Sequence, residues 1–352
     1  MATIRDKQPS ADAGRVIVDN QLADLETDIS KLYEKTGKEI QDELDSFLAK
    51  YKEADKKKQE LVKEGKMSEE EYKDWRERQI FRSDAMQAKI DDLSNTMVNA
   101  DKAAMRMVNG QLPETYATSY NFGIFRGETY ANELNLDYTP FTLYNKNAVR
   151  ILSTQDPDLI PWKPSINKKE DKAWNRSHIQ DAVRQGILKG DSMDKIADRL
   201  MPVVGMDETA AIRTARTAVN GIENKARHDS ADKLIEGGIP MVRTWICTHD
   251  SRTRDSHILL DGKHPDDNGY YENGLEYPGD PSGDPAEVYN CRCNELTTME
   301  GIDHSKDKEL YDQFMKENYF EDWQSMKEKQ SKSHKEEDFQ ANKAKAEKKR
   351  KE

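Results

Sequence analysis

The stretch W-I-C-T-H-D-S-R-T-R-D-S-H-I-L-L-D-G runs from Trp245 to Gly262, and the tetrad N-C-R-C runs from Asn290 to Cys293. Around Trp245, the residues Val242, Thr244 and Ile246 alternate with Arg243, Trp245 and Cys247, a pattern typical of a β-strand. Between the two motifs, residues 261–287 are rich in glycine and proline and hold eight acidic residues against one lysine. A strand followed by so long a loop predicts a small α+β domain over residues 241–300.

Three side chains in these motifs have the chemistry of metal ligands. If the acidic loop closes back on the strand, His257, Cys291 and Cys293 can meet, and an imidazole with two thiolates suits Zn²⁺. A structural zinc site normally has four ligands. Candidates for the fourth ligand are Cys247, His249 and Asp250. The alternative is that no metal binds, with His257 hydrogen-bonded to Asp250 and the cysteines packed in the core.

The polar residues of the two motifs are interpreted as structural. Bidentate ion pairs of the arginines can cross-link the long loop, which stabilises a domain too small for a large apolar core. The residues assigned this role are Asp250, Arg252, Arg254, Asp261, Gly262 and Asn290. Asp280 and Asp284 also lie in the loop, but aspartates among glycine and proline usually form turns rather than bind Ca²⁺.

Upstream of the motifs, residues 1–112 predict a helical arm. Ser68 and Glu71 form a capping-box pattern that restarts a helix after Gly65. Apolar residues then follow a heptad spacing. They are Met86, Ile90, Leu93, Met97, Ala100, Ala104 and Met107. This seam predicts an intramolecular helical hairpin, with a partner-binding coiled coil as the alternative. We expect the helix to end at Asn109 and Gly110, because Pro113 follows.

The rest of the chain divides into three further segments. Residues 113–170 are rich in aromatic residues and proline and predict a largely irregular connector. Helices return over residues 171–240, with Ser192 and Asp207 as the caps of separate helices. Residues 301–352 predict a polar helix and a disordered basic tail. The fold class predicted for the chain is therefore mainly α, with one small α+β domain.

Composition limits the classes of function. The chain has 352 residues and a net charge of 55 − 67 = −12, which disfavours wrapping DNA through its overall field. Its three cysteines do not form a disulfide framework, and it has neither a membrane span nor a signal peptide, so we expect synthesis and assembly in the cytoplasm. The last twelve residues carry six basic and two acidic side chains. This tail either contacts double-stranded DNA or an acidic partner, or only keeps the chain soluble.

The motifs resemble the C-terminal domain of Mu F-like phage minor head proteins. The shared elements occur in the same order over about fifty residues of this chain. They are Asp250, Arg252, Arg254 and His257, then Leu260-Asp261-Gly262, Pro278-Gly279 and Asn290-Cys291-Arg292-Cys293. In some relatives Cys-x-x-Cys stands at the positions of Arg254 and His257, so this chain lacks one of those ligands. The similarity extends weakly to A-R-T-A-V-N at 215–220, where relatives often carry an acid in place of Ala218.

The resemblance implies a virion structural protein rather than an enzyme. Such a protein lies in the phage head interior or at the portal vertex. It associates with the portal protein and other capsid proteins, and takes part in head assembly and in DNA packaging or genome ejection. The alternative from a different class is a metal-dependent nuclease or another zinc-binding enzyme, because a His, Asp and Asn set near paired cysteines is similar to such sites.

Overall fold

The computed structural model describes residues 15–189, 191–248 and 251–319, together with residues 321 and 324. Within these residues the fold is mainly α with one small two-stranded sheet, which confirms the fold class predicted from the sequence. None of the helices in this part of the chain has an apolar stretch long enough to cross a membrane. The predictions for His249, Asp250 and the basic tail concern residues outside the described part.

The secondary structure consists of long helices, several short ones and two strands. The helices are α1 (Arg15–Lys63), α2 (Glu69–Arg76), α3 (Asp84–Glu133), α4 (Lys146–Gln155), α5 (Lys168–Lys189), α6 (Met193–Asp198), α7 (Met201–Glu236), α8 (Asp255–Ile258), α9 (Pro285–Val288) and α10 (Asp307–Asn318). Strands β1 (Val242–Ile246) and β2 (Asn294–Thr298) pair antiparallel. The capping box of Ser68 and Glu71 is present at the start of α2, as predicted.

The described residues group into two compact units, each discontinuous in sequence. The first, here called the arm unit, comprises Ala23–Gln111 and Lys163–Ala218. The second, here called the motif unit, takes its residues from Met1–Leu22, Leu112–Trp162 and Val219–Glu352. The motif unit therefore contains both sequence motifs.

The core of the arm unit is a set of apolar helix faces. Six of the seven residues in the heptad seam of α3 are buried, and only Met107 is exposed, at 38%. Helix α1 buries apolar residues at helical spacing in the same unit. They are Leu25, Ile29, Tyr33, Ile40, Leu44 and Leu48. Burial of the seam within a single chain favours the intramolecular interpretation of this pattern.

A buried ion pair lies in the arm unit beside α2. The guanidinium of Arg76 donates through Nε to Asp55 Oδ1 at 2.9 Å, and through its terminal nitrogens to the carbonyls of Ile187 and Asp191 at 3.3 and 2.6 Å. The hydroxyl of Tyr72 donates to the same Asp55 carboxylate at 2.8 Å. Because the Arg76 side chain is completely buried, its charge depends on this pairing.

Three carboxylates meet in another part of the arm unit. Tyr33 donates to Asp101 Oδ1 at 2.6 Å, and Asn175 donates to Asp101 Oδ2 at 3.3 Å. Burial, followed by the charges of Asp101 and Asp171, raises the pKa of Asp207 to about 7. Asp207 Oδ2 is buried and has no hydrogen-bond partner among the described residues. Ionised Asp207 therefore destabilises the folded state.

Replacement of Asp207 by asparagine is expected to raise the Tm by about 2–8 °C at pH 8. The native pKa lies above the ordinary value of 3.8, so the folded state binds more protons than the unfolded state between these two values. The cost of ionised Asp207 is absent below that ordinary value, grows up to about pH 7 and stays constant above it. Thermal unfolding from pH 4 to pH 8 measures the difference. Exposed Asp181, replaced by asparagine, is the control, and an advantage that does not shrink on acidification would contradict the prediction.

The motif unit packs α10 against the second half of α3 through aromatic rings. The Phe122 ring lies edge-on to Tyr311, with 5.1 Å between centroids, and Phe125 lies 5.4 Å from Phe314. Arg126 forms a buried ion pair with Asp307 at 3.5 Å and donates to the Thr297 carbonyl of β2 at 2.6 Å. The helix predicted after Thr298 is thus present and attached to the sheet.

The predicted helix end at Asn109 and Gly110 is wrong, because α3 continues to Glu133 through Pro113. A proline inside a helix costs about 3 kcal/mol. Beyond it, apolar and aromatic side chains recur at helical spacing and are buried. They are Tyr116, Tyr120, Ile124 and Tyr130. Their burial outweighs the cost of the proline, since each large side chain contributes about 1.5–3 kcal/mol.

The predicted helix start at Asp207 is also wrong. Helix α7 begins at Met201 and includes Asp207 in its interior. Pro202 therefore occupies the first turn of α7, where its missing N–H costs nothing and its fixed φ suits the helix. The predicted cap at Ser192 is present, because its side chain accepts a hydrogen bond from the Lys195 amide at the start of α6.

Candidate metal centre

The pairing of the two strands brings the cysteines together. In the antiparallel register, Ile246 at the end of β1 lies opposite Asn294 at the start of β2. Cys247 follows β1 directly and Cys293 precedes β2 directly, so the register places them at the same end of the sheet. Thr248 Oγ1 donates to the Arg292 carbonyl at 2.8 Å and extends the pairing. The sheet thus brings together two segments that are 44 residues apart in sequence.

Helix α8 adds a histidine to this group. His257 Nδ1 lies 3.3 Å from Cys293 Sγ and 3.7 Å from Cys291 Sγ. All three side chains are buried, and their ligand atoms lie within 4.8 Å of one another. Two sulfur atoms and one ring nitrogen at these distances are a donor set that fits Zn²⁺. The structure therefore brings together the three side chains that the sequence offered as candidate ligands.

Cys247 lies at the same end of the sheet, but it is not among the three residues whose ligand atoms lie within 4.8 Å of one another. Its backbone N–H donates to Asp261 Oδ1 at 2.8 Å. Burial, then the charge of Asp261 and the nearby Cys293, raises the pKa of Cys247 to about 12. Cys247 is the fourth-ligand candidate that the structure describes, because His249 and Asp250 lie outside the described residues.

The two clustered cysteines differ in acidity. A hydrogen bond from Cys293 lowers the pKa of Cys291, whereas the same bond and burial raise the pKa of Cys293. Arg254 and Arg15 also favour the ionised form of Cys291 by their positive charges. The thiolate is the form that binds metals, so the shift of the Cys291 pKa is in the direction that favours coordination.

The second ring nitrogen of His257 faces an acid that sequence reasoning missed. His257 Nε2 lies 2.9 Å from Glu287 Oε2. Glu287 also accepts hydrogen bonds from Ser256 Oγ at 3.0 and 3.1 Å. The sequence interpretation gave Glu287 no role, because no spacing rule singles out one of the eight acids of the loop. A hydrogen bond between His257 and Asp250 was the alternative without a metal, and Asp250 lies outside the described residues. The acid that the structure describes beside His257 is Glu287.

The residues assigned a structural role fix the loop at specific points. Gly262 has φ of +77°, and its N–H donates to the Trp245 carbonyl at 2.8 Å. Asn290 also has positive φ, at 59°, a conformation that asparagine tolerates better than most residues. Arg254 donates to the carbonyl of Tyr289, so its described hydrogen bond is to the backbone. Arg252 is exposed.

The two aspartates of the loop form turns, as expected. Asp280 accepts hydrogen bonds from the amides of Glu276 and Ser282, at 3.2 and 2.9 Å. Asp284 accepts from the Ala286 amide at 2.8 Å and caps α9. Both carboxylates are therefore occupied by nearby backbone groups in a turn geometry.

Helix α7 contacts the backbone around Cys293 through two asparagines. Asn224 Nδ2 donates to the carbonyls of Pro278 and Cys293 at 2.9 and 3.0 Å, and Asn224 Oδ1 accepts from the Glu295 amide at 2.8 Å. Asn220 also donates to the Cys293 carbonyl, at 3.3 Å. The two residues are one helical turn apart, so they share one face of α7. Two asparagines four residues apart, among small apolar residues, are the sequence signal that could have identified Asn220 and Asn224.

Close packing at one glycine determines how the loop meets α7. A Cβ at Gly221 would lie 2.1 Å from Trp162 Nε1 and 2.9 Å from the Gly279 carbonyl oxygen. Trp162 Nε1 donates to that same carbonyl at 3.0 Å. Glycine is therefore required at 221, since any larger residue would displace the Pro278-Gly279 turn.

The geometry disfavours the nuclease alternative. His257, Cys291 and Cys293 are 1 to 3% exposed, so a nucleic-acid phosphate would not reach them without a rearrangement. Glu287 is the carboxylate described within hydrogen-bond distance of His257, and it contacts the nitrogen that faces away from the thiols. A buried cluster of this kind is typical of a structural site, because catalytic metals keep an open position.

Part of the chain matches a known protein family. Residues 177–296 match the family described as phage Mu protein F like protein, and these residues include both sequence motifs. This part of the chain is therefore similar to the family that the resemblance of its motifs predicted.

Two curated proteins are similar to the chain to different extents. The minor head protein GP7 of Bacillus phage SPP1 is 22% identical over 288 residues, which cover 81% of this chain and 85% of GP7. The NAD(+)--arginine ADP-ribosyltransferase EFV of Enterococcus faecalis is 28% identical over 127 residues, which cover 36% of this chain and 26% of that enzyme. No solved structure matches the chain.

Proposed function

We propose that this chain is a minor head protein of a tailed phage. In this proposal it lies in the virion, in the head interior or at the portal vertex. It acts with the portal protein and other capsid proteins in head assembly and in DNA packaging or ejection. The observation that supports this function is the similarity to GP7 over most of both chains, 81% of this one and 85% of the relative. The match to EFV covers only 26% of that enzyme, so its activity is not carried over.

Two features of the fold are compatible with this role. The arm unit is built from long helices, which suits a protein that makes extended contacts with larger partners. The motif unit buries His257, Cys291 and Cys293, which suits a structural module better than an enzyme. A contact of the basic tail with double-stranded DNA remains part of the proposal.

Purified virions of the phage that encodes the chain provide the test. Mass spectrometry is expected to detect the chain in DNA-filled heads in fewer copies than the major capsid protein. Co-expression with the portal protein of the same phage is expected to give a complex that co-purifies, and the matched control is co-expression with the major tail protein. Absence of the chain from virions that infect normally would overturn the proposed role.

We further propose that the cluster of His257, Cys291 and Cys293 binds a structural Zn²⁺. Its donor atoms are the types that Zn²⁺ prefers, and they already lie within 4.8 Å of one another. Cys247 is the proposed fourth ligand, because the strand register places it beside Cys293. When bound, the metal would tie α8 to the segment before β2. The residues thus held come from both ends of the acidic loop, which has no helix or strand among the residues described between α8 and α9.

A further inference from the structure

We propose that Glu287 is a positioning residue that holds His257 in a single orientation and tautomer, with Nδ1 facing the two thiols. This inference rests on the zinc site proposed above, and it assigns a role to a residue outside the ligand set. The juxtaposition that carries it is a buried imidazole with sulfur atoms on one nitrogen and a carboxylate on the other.

The distances fix the roles of the two ring nitrogens. Nε2 lies 2.9 Å from Glu287 Oε2, and a carboxylate only accepts hydrogen bonds, so Nε2 carries the proton. In the neutral ring Nδ1 then has a free lone pair, and it points to Cys293 Sγ at 3.3 Å and Cys291 Sγ at 3.7 Å. A histidine whose second nitrogen donates to a carboxylate is the usual arrangement around protein-bound zinc.

Glu287 is itself held in place. Ser256 Oγ donates to both of its carboxylate oxygens, at 3.1 and 3.0 Å, and Asn273 Nδ2 lies 3.5 Å from Oε2. The side chain is 23% exposed, so most of it is shielded from water. These partners restrict the carboxylate before any metal binds.

The backbone couples Glu287 to one of the thiols. Glu287 lies on α9, whose N-terminus is capped by Asp284. The Cys291 amide donates to the carbonyl of Val288 at 3.2 Å, directly after Glu287. The acid and the thiol are therefore parts of one short folded segment. A movement of α9 would shift the imidazole and Cys291 together.

The edge of the imidazole is also restrained. The Trp245 ring packs edge-on against the His257 ring, with 5.1 Å between centroids. The ring is 1% exposed, so it has little room to turn. Glu287 supplies the hydrogen bond that selects one of the two flipped orientations.

The test compares four full-length proteins: wild type, Glu287→Ala, Glu287→Gln and Ser256→Ala. Zinc affinity is measured by competition with a chromophoric chelator. Glu287→Ala is expected to weaken zinc binding about 10–100-fold. Glu287→Gln keeps an acceptor for Nε2–H and is expected to recover most of the affinity. Ser256→Ala removes one donor to Glu287 and leaves the contact of Glu287 with the ring, so it is expected to weaken zinc binding less than Glu287→Ala does.

A second readout requires no metal. Nitrogen NMR of the metal-free proteins at pH 8 is expected to show His257 protonated at Nε2 in wild type, and a mixture of tautomers in Glu287→Ala. If wild type binds no zinc, the zinc site is wrong, and the tautomer measurement still decides the role of Glu287. Wild-type zinc affinity in Glu287→Ala, or an unchanged tautomer in that variant, would overturn the inference.

Discussion

Replacement of Arg76 by leucine is expected to lower the free energy of unfolding by about 3–5 kcal/mol. The variant leaves the Asp55 carboxylate buried without its cation, and leaves the carbonyls of Ile187 and Asp191 without a donor. Breaking a buried ion pair on one side is more costly than losing both partners, because the remaining charge is not solvated. Denaturation by urea, followed by circular dichroism, measures the change.

Two variants decide whether the buried charge is the cause. Arg78 forms an exposed pair with Asp74, with the two side chains 67% and 60% exposed, so Arg78→Leu is expected to cost less than about 1 kcal/mol. The double variant Arg76→Leu with Asp55→Leu is expected to be more stable than Arg76→Leu alone, since no unpaired charge remains. Equal losses for Arg76→Leu and Arg78→Leu would show that the buried pair contributes no more than an exposed one.

The helices of the arm unit could be predicted because their apolar spacing and their burial agree. Met86, Ile90 and Leu93 follow a heptad pattern in sequence and are completely buried in the structure. The capping box at Ser68 is equally local, because both of its partners lie within four residues. Arg76 could not be predicted as a core residue. Its partners Asp55 and Asp191 are distant in sequence, and arginine is rarely buried.

The end of α3 shows where local signals fail. Asn109, Gly110 and Pro113 all indicate a helix end. The structure continues the helix, because the aromatic residues beyond Pro113 find buried contacts with segments that are distant in sequence. Tyr116, for example, donates to Asp229 on α7 at 2.7 Å. The stabilisation from such contacts cannot be predicted from a few neighbouring residues of the sequence.

In the candidate site too, some residues could be predicted from the sequence and others could not. His257, Cys291 and Cys293 could be selected from the sequence because imidazole and thiol groups are rare and have distinctive ligand chemistry. Glu287 and Asn224 could not, because carboxylates and amides are common and act here only through their position. The strand register brings the cysteines to one end of the sheet, and that register involves β2, which the sequence pattern did not predict.

Replacement of Cys293 by serine is expected to abolish zinc binding and to lower stability to the level of the metal-free wild type. Wild-type protein is expected to contain about one equivalent of zinc by elemental analysis, since one cluster of three ligands occurs among the described residues. A metal that binds only the folded state stabilises it by about 4 kcal/mol when its free concentration is a thousand times Kd. Thermal unfolding with and without a chelator measures this contribution.

The comparison of chelated proteins separates metal loss from a packing defect. A chelator is expected to lower the Tm of wild type and to leave the Tm of Cys293→Ser unchanged, because that variant has no metal to lose. Cys247→Ser identifies the fourth ligand: weaker zinc binding supports Cys247, and unchanged affinity assigns the position to another group. A wild-type protein without zinc, whose Tm does not respond to the chelator, would show that the domain is held by its hydrogen bonds and buried core alone. In that case the contacts of Asn224, Asp261 and Glu287 would carry the stabilisation that the metal is proposed to supply.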